Sequence, residues 1–190
     1  QITTVIENDE VSSALEKKFE ELHIKDIEAF LGCGNHGAVY LVNGGSILPH
    51  EKLALKVHRF ANAQTVKESG EALALTMPHH NNLKRIYGIL TSDGHSVRYI
   101  DRLEDANQDD RVVGLFAEHI QGKNLKEIYE FDEMQIESQE EEIEQAVELI
   151  STISFVEIER LVLDLFNGLH ELHKKNISYD SRSIKPENIF

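Results

Sequence analysis

The chain has 190 residues, of which 41% are hydrophobic and 28% charged, as is typical of a globular domain or of part of a larger one. A formal net charge of −15 disfavours nucleic acid and anionic membranes as partners, because lysine and arginine make those contacts. The single cysteine, Cys33, excludes an internal disulfide. We find neither an apolar run long enough to cross a bilayer nor a signal-peptide pattern. We therefore expect no membrane span and a cytoplasmic location, or secretion into a host cytosol if the source is a pathogen.

The first element predicted is an amphipathic helix over residues 11–22, in which every third or fourth residue is apolar. From residue 24 to about 57 the pattern changes to β-type runs separated by glycine turns. The runs are IEAFLG, AVYLV and LALKV, and the turn before the last of them is Asn43-Gly44-Gly45-Ser46. This part of the chain is predicted to be antiparallel strands.

A helix is predicted from about Ala63 to Met77, followed by strands over residues 82–90 and 112–118. The polar segment between those strands has the composition of an inserted hairpin or loop. Residues 132–148 are mostly acidic, which indicates a solvated helix face or linker, or else a surface for a basic partner. A last helix is predicted to open with a capping box at residues 154–157 and to run to about His173.

Three glycines follow the first β-type run. Gly32, Gly34 and Gly37, with Val39 after them, fit the pattern G-x-G-x-x-G-x-V. Glycines at such a hairpin let backbone amides approach phosphate oxygens. Glycine triplets also mark simple turns, and in dinucleotide-binding folds they lie between a strand and a helix. Here the β-type run AVYLV follows at once, which favours a strand–loop–strand arrangement.

The run LALKV holds one lysine, Lys56, in an apolar strand. Burying an ammonium without a partner is costly, so this lysine needs an anion unless the strand lies at an edge and the lysine faces water. Glu68 and Glu71 of the next helix are both at a suitable distance along the chain. Gly70 in that helix costs about 1 kcal/mol relative to alanine, which predicts a mobile helix.

Together with Gly114-Leu115-Phe116-Ala117-Glu118-His119-Ile120-Gln121-Gly122, these elements resemble the ATP-binding half of the protein-kinase family in order and spacing, over about residues 24–125. The resemblance implies that the glycine loop covers the triphosphate of ATP and that Lys56, paired with Glu71, clamps its α- and β-phosphates. Glu71 is preferred to Glu68 because Leu75 and Leu83 then fall where the family has core leucines.

The resemblance also implies how the adenine is held. Val39 and Ala54 would cover the ring, and the Glu118 carbonyl and Ile120 amide would hydrogen-bond its edge. Ala117 falls at the gatekeeper position of the family, where a small side chain would leave an enlarged back pocket.

The end of the chain is similar to the kinase catalytic loop, whose pattern is H-R-D-L-K-P-E-N-I. Alignment on Lys185-Pro186-Glu187-Asn188 places Ser183 at the aspartate position, whereas alignment on the preceding helix brings Asp180 close to it. The resemblance implies that Asp180 is the base, that Lys185 stabilises the transferred phosphoryl group and that Asn188 binds a metal. Alternatively no carboxylate reaches the site and the base is lost.

The resemblance predicts an α+β, bilobal, kinase-like fold with a five-stranded antiparallel sheet and one helix in its first lobe. The predicted parts are a helical extension (1–23), the first lobe (24–117), a hinge (118–122) and the start of a helical lobe (123–190), so we expect a fragment. The expected function is ATP- and Mg²⁺-dependent phosphorylation of serine and threonine in a protein substrate. The alternatives are a pseudokinase scaffold and a kinase fold with nucleotidyl-transfer chemistry. The acidic segment and the Gly70 helix are compatible with a protein activator.

Overall fold

The computed structural model describes residues 6–34, 37–77, 79–122 and 155–176. By their contacts the residues form two units, Gln1–His79 with Lys84–His119, and His80–Leu83 with Ile120–Phe190. The boundary after His119 lies within the segment 118–122 that the sequence predicts as a hinge. The helices are α1 (Asp9–Glu21), α2 (Gly70–Leu73) and α3 (Phe155–Lys174). The strands are β1 (Ile27–Gly34), β2 (Gly37–Asn43), β3 (Lys52–His58), β4 (Ile86–Ser92), β5 (Val97–Ile100) and β6 (Arg111–Glu118).

The first unit is built on one antiparallel sheet of six strands, in the order β1-β2-β3-β6-β4-β5. The α+β class is therefore confirmed, but the prediction of five strands is wrong. The additional strand, β5, lies in the polar segment that was predicted as a hairpin or loop. A tight turn makes the hairpin possible: Asp93 accepts the amides of His95 and Ser96 at 2.9 and 2.8 Å, and Gly94 adopts a φ of +102°.

One face of the sheet packs against α1. Asn8 caps the start of this helix, since its side chain accepts the Val11 amide at 3.0 Å, and the helix agrees with the predicted one within two residues. Its buried side chains join alternate residues of β3 in one core. The α1 members are Val11, Leu15 and Phe19, and the β3 members are Leu53, Leu55 and Val57. Each such side chain contributes about 1.5–3 kcal/mol when fully buried, so residues of the predicted extension 1–23 supply part of this core.

The opposite face of the sheet carries a second, smaller core. It includes Ala72 of α2, Ile89 of β4, and Leu115 and Ala117 of β6. Because successive side chains of a strand point to opposite faces, the β3 residues between its three core residues point to this second face. The arrangement places one face of β3 in the α1 core and the other toward α2.

The helix predicted over residues 63–77 is largely absent. Only Gly70–Leu73 is α-helical, followed by a 3₁₀ turn at Ala74–Thr76. The backbone before it bonds to the sheet instead, since the Val66 amide donates to the Asp110 carbonyl at 2.9 Å and the Val112 amide to the Gln64 carbonyl at 2.8 Å. Backbone groups used in this way cannot form the i to i−4 bonds of a helix. The short helix starts where Ser69 caps it by accepting the Ala72 amide.

The described helix of the second unit, α3, is 20 residues long and matches the predicted last helix closely. Gly168 and Leu172 are buried, and a Cβ on Gly168 would lie 3.0 Å from the Asn82 carbonyl oxygen of the same unit. The predicted capping serine, Ser154, lies outside the described residues, as does the acidic segment 132–148. Within the described ranges, no helix combines the length and the apolar character that crossing a bilayer requires.

Thr91 generates a prediction about stability. Its hydroxyl is fully buried and has no hydrogen-bond partner within the part of the chain that the structure describes. An unsatisfied buried hydroxyl costs about 1–3 kcal/mol. We expect Thr91→Val, which keeps the shape of the side chain, to raise the free energy of unfolding by about 1 kcal/mol in urea denaturation followed by circular dichroism.

The matched control is Thr91→Ser, which keeps the hydroxyl and removes the methyl group, so it should destabilise the protein. A destabilising Thr91→Val would contradict the assignment and show that the hydroxyl makes a bond in solution.

Candidate functional site

The glycine hairpin connects β1 and β2. Gly34 pairs with Gly37, and Gly32 pairs with Val39 two residues further along the strands. A Cβ on Gly37 would lie 2.0 Å from the Val57 carbonyl oxygen of β3, so the sheet itself requires glycine there. A Cβ on Gly32 or Gly34 would meet no other atom within 4 Å. Packing thus explains Gly37, and a φ of +156° explains Gly32, but neither reason applies to Gly34.

Lys56 lies on β3, on the face toward α2. Its Nζ is 2.5 Å from Oε1 of Glu71, and about a third of each side chain is exposed. The structure therefore brings together the lysine and the preferred glutamate of the sequence prediction. The other candidate, Glu68, accepts a hydrogen bond from the Thr65 hydroxyl at 2.7 Å instead.

His58 is a third member of this cluster, and the sequence prediction missed it. Its Nε2 lies 2.6 Å from Oε2 of Glu71, and its side chain is 11% exposed. His58 follows Lys56 by two residues on one strand, so both side chains point to the same face. That spacing was a usable signal in the sequence.

The ionisation of Glu71 follows from these neighbours. Burial alone would raise its pKa, but the hydrogen bonds and positive charges of His58 and Lys56 outweigh that effect and lower the pKa from 4.5 to about 2. At neutral pH the carboxylate is therefore charged and can only accept hydrogen bonds.

A second lysine lies near this pair. Most of the Lys84 surface is exposed, but partial burial of its ammonium lowers its pKa, and the charge of Lys56 lowers it further. The carboxylates of Glu118 and Glu71 oppose that shift. Nothing in the sequence pattern singled out this residue. Its effect is to add positive charge on the side of the sheet that carries Lys56.

Apolar side chains accompany Lys56 on the same face of the sheet. Val39 of β2 lies directly opposite Lys56, and Ala54 of β3 lies opposite Ala117 of β6. Directly opposed residues of neighbouring strands share a face. Ala54 and Ala117 are buried, whereas Val39 is half-buried. The face thus combines a cation with small apolar side chains.

The two predicted hinge residues, Glu118 and Ile120, belong to different units. Glu118 ends β6, its amide donates to the Arg85 carbonyl at 2.8 Å and its carboxylate accepts the Arg85 amide at 3.3 Å. Ile120 is half-buried and belongs to the second unit.

The predicted catalytic-loop residues Asp180, Lys185 and Asn188 lie outside the described residues. Within those that are described, no three or more histidine, cysteine, aspartate or glutamate side chains cluster so as to hold a metal ion. No protein-family model matches the chain, and a search of the curated proteins finds no relative. The site is therefore interpreted from its own geometry.

The glycines generate a prediction that separates a structural from a binding role. Gly37→Ala should destabilise the fold by roughly 1–3 kcal/mol, because the new methyl group displaces the β3 backbone. Gly34→Ala, the matched control in the same hairpin, should change stability by less than about 0.5 kcal/mol. Urea denaturation of both variants checks this, and equal destabilisation by the two would contradict the distinction.

Glu71 generates a prediction about acid stability. Its pKa is lower in the folded chain than its ordinary value, so its contribution is fully present above about pH 4.5 and is lost as the pH falls toward about 2. We expect Glu71→Gln to destabilise the protein by about 1–2 kcal/mol at pH 6, with the difference shrinking toward pH 2. Urea denaturation across this range measures it.

The control is Glu16→Gln, on the exposed side of α1, which should change stability by less than about 0.5 kcal/mol. A Glu71→Gln effect that stays constant between pH 2 and pH 6 would show that the carboxylate charge contributes nothing.

Proposed function

We propose that this chain is the ATP-binding part of a kinase-like fold and that it takes part in ATP- and Mg²⁺-dependent phosphorylation of serine and threonine in proteins. The observation that carries the proposal is the Lys56–Glu71 ion pair, on the same sheet face as Val39 and Ala54. The glycine hairpin at the end of β1 and β2 adds support, since neither packing nor backbone conformation accounts for Gly34.

In this proposal the described residues bind and orient the nucleotide. Lys56 places its ammonium against the α- and β-phosphates, while Glu71 restrains the other side of that ammonium. The hairpin amides near Gly32 and Gly34 donate to phosphate oxygens. Val39 and Ala54 provide the apolar surface against which the adenine packs, and the Glu118 carbonyl accepts a hydrogen bond from its edge.

Phosphoryl transfer itself is assigned from the sequence. The substrate hydroxyl oxygen attacks the γ-phosphorus, the bond to the β,γ-bridging oxygen breaks, ADP leaves and Asp180 accepts the hydroxyl proton. Lys185 stabilises the transferred group. Asn188 is the proposed metal ligand, and magnesium, when bound with ATP, offsets phosphate charge.

A specific observation favours a second candidate, a pseudokinase that binds nucleotide and serves as a scaffold. The segment Ser181-Arg182-Ser183-Ile184-Lys185-Pro186-Glu187-Asn188 places Ser183 where the family has its aspartate. A serine hydroxyl is not a base at neutral pH, and losing a positioned base removes about 10²–10⁴-fold of rate. The two candidates share the same ATP site and differ in turnover.

Lys56→Met tests the shared claim. The variant keeps an unbranched side chain but removes the charge, and we expect it to weaken ATP–Mg²⁺ binding by about 10–100-fold, the loss of a charge-assisted hydrogen bond. Isothermal titration calorimetry measures the affinity. Lys67→Met is the matched control, because Lys67 is an exposed lysine whose ammonium pairs with Asp109 at 2.8 Å, and it should bind ATP as the wild type does.

A labelled-phosphate assay then separates the candidates. Binding with transfer to serine or threonine supports the kinase, binding without transfer supports the scaffold, and mass spectrometry that finds AMP on the product supports nucleotidyl transfer. Equal ATP affinity of the wild type and Lys56→Met would overturn the site assignment.

A further inference from the structure

Each carboxylate oxygen of Glu71 has a partner of its own. Oε1 lies 2.5 Å from the Lys56 ammonium and Oε2 lies 2.6 Å from Nε2 of His58. Both partners come from β3, two residues apart on one face, so a single strand holds both oxygens. Two contacts from a rigid element fix the plane of the carboxylate, whereas one contact leaves it able to rotate.

The helix that carries Glu71 is too short to fix this side chain by itself. α2 has four residues, and Ser69 caps it through the Ala72 amide. Isolated helices of this length are not stable, so the position of α2 depends on what its side chains contact. Two side chains of α2 make such contacts. Ala72 is fully buried in the smaller core, and Glu71 forms two hydrogen bonds to β3.

We propose that His58 is a positioning residue for the ATP site: by holding Oε2 of Glu71, it keeps the carboxylate and α2 in place while the Lys56 ammonium engages phosphate. The inference rests on the proposed function for its ATP part. Its place in the fold fits the role, since His58 lies directly opposite Gly37, at the hairpin end of β3. It acts through Glu71 and is not itself assigned a contact with ATP.

Glu71 needs a second contact because the Lys56 ammonium would be shared between the Glu71 carboxylate and the phosphates. An ammonium that binds phosphate oxygens gives up part of its interaction with a carboxylate, because both anions compete for the same three donors. If Lys56 were the sole anchor, Glu71 and the four-residue helix would loosen as the nucleotide bound. The bond to His58 is independent of that competition and remains.

The direction of the bond identifies the variants that test it. The Glu71 carboxylate only accepts hydrogen bonds, so Nε2 of His58 carries the hydrogen and donates. A glutamine amide nitrogen reaches about as far from the backbone as Nε2 of histidine, whereas an asparagine amide is one methylene shorter. His58→Gln should therefore keep the bond and His58→Asn should lose it.

The first experiment is a double-mutant cycle in folding that needs no nucleotide. The wild type, His58→Asn, Glu71→Met and the double variant are unfolded in urea at pH 7, because methionine, unlike glutamine, has no side-chain oxygen that could accept from His58. We expect a coupling of about tenfold in the unfolding equilibrium constant between the two sites, which corresponds to about 1.4 kcal/mol. His58→Gln should behave as the wild type within about twofold. Additive effects of His58→Asn and Glu71→Met would overturn the positioning role.

The second experiment measures ATP–Mg²⁺ affinity by calorimetry in the same proteins. His58→Asn should weaken binding by about tenfold, the loss of a hydrogen bond to a charged group, and His58→Gln should restore it. In the Glu71→Met background, His58→Asn should have no further effect, because no side-chain oxygen remains at residue 71 for His58 to hold. An equal loss in both backgrounds would show that His58 acts on ATP directly and would overturn the inference.

The two experiments distinguish failure of the proposed function from failure of this inference. If the wild type does not bind ATP, the proposed function is wrong and the ATP part of this inference falls with it, but the folding cycle still decides whether His58 holds Glu71. If the wild type binds ATP and the cycle shows no coupling, the proposed function stands and the inference is wrong.

Discussion

The structure of the first unit depends on how β3 accommodates a cation. Three of its residues, Leu53, Leu55 and Val57, are fully buried in the core beneath α1, which fixes the strand in the middle of the sheet. That burial forces Lys56 to the opposite face. A positive charge among apolar side chains requires a partner, and Glu71 supplies it at 2.5 Å. The short helix α2 is positioned by the same requirement.

The two faces of the sheet therefore differ in composition. The α1 face contains the larger apolar core and supplies most of the hydrophobic stabilisation. The other face has a smaller core and carries the polar group of Lys56, Glu71 and His58. This division is compatible with a binding face that is supported by the larger core on the other side of the sheet.

The strands could be predicted from the sequence because their signals are local. Alternating apolar residues, the glycine hairpin and the turn at residues 43–46 give β1, β2 and β3 close to their observed bounds. The helix predicted over residues 63–77 is largely absent from the structure, and local signals could not show this. Its backbone bonds to Asp110 and Val112, more than forty residues away, and such partners leave no mark on local periodicity. The alternation of side chains along a strand could have placed His58 on the same face as Lys56. The proximity of Lys84 depends on tertiary structure and could not be predicted in this way.

The central claim is that the Lys56 ammonium lies against the phosphates of bound ATP. An ATP analogue whose terminal phosphate carries an acyl group tests it directly, because such a reagent acylates a lysine amine held beside the phosphates, and peptide mass spectrometry identifies the lysine. The account predicts that Lys56 is acylated and that excess ATP–Mg²⁺ prevents the reaction. Acylation that is spread over exposed lysines such as Lys67, omits Lys56 and is unaffected by ATP would contradict it.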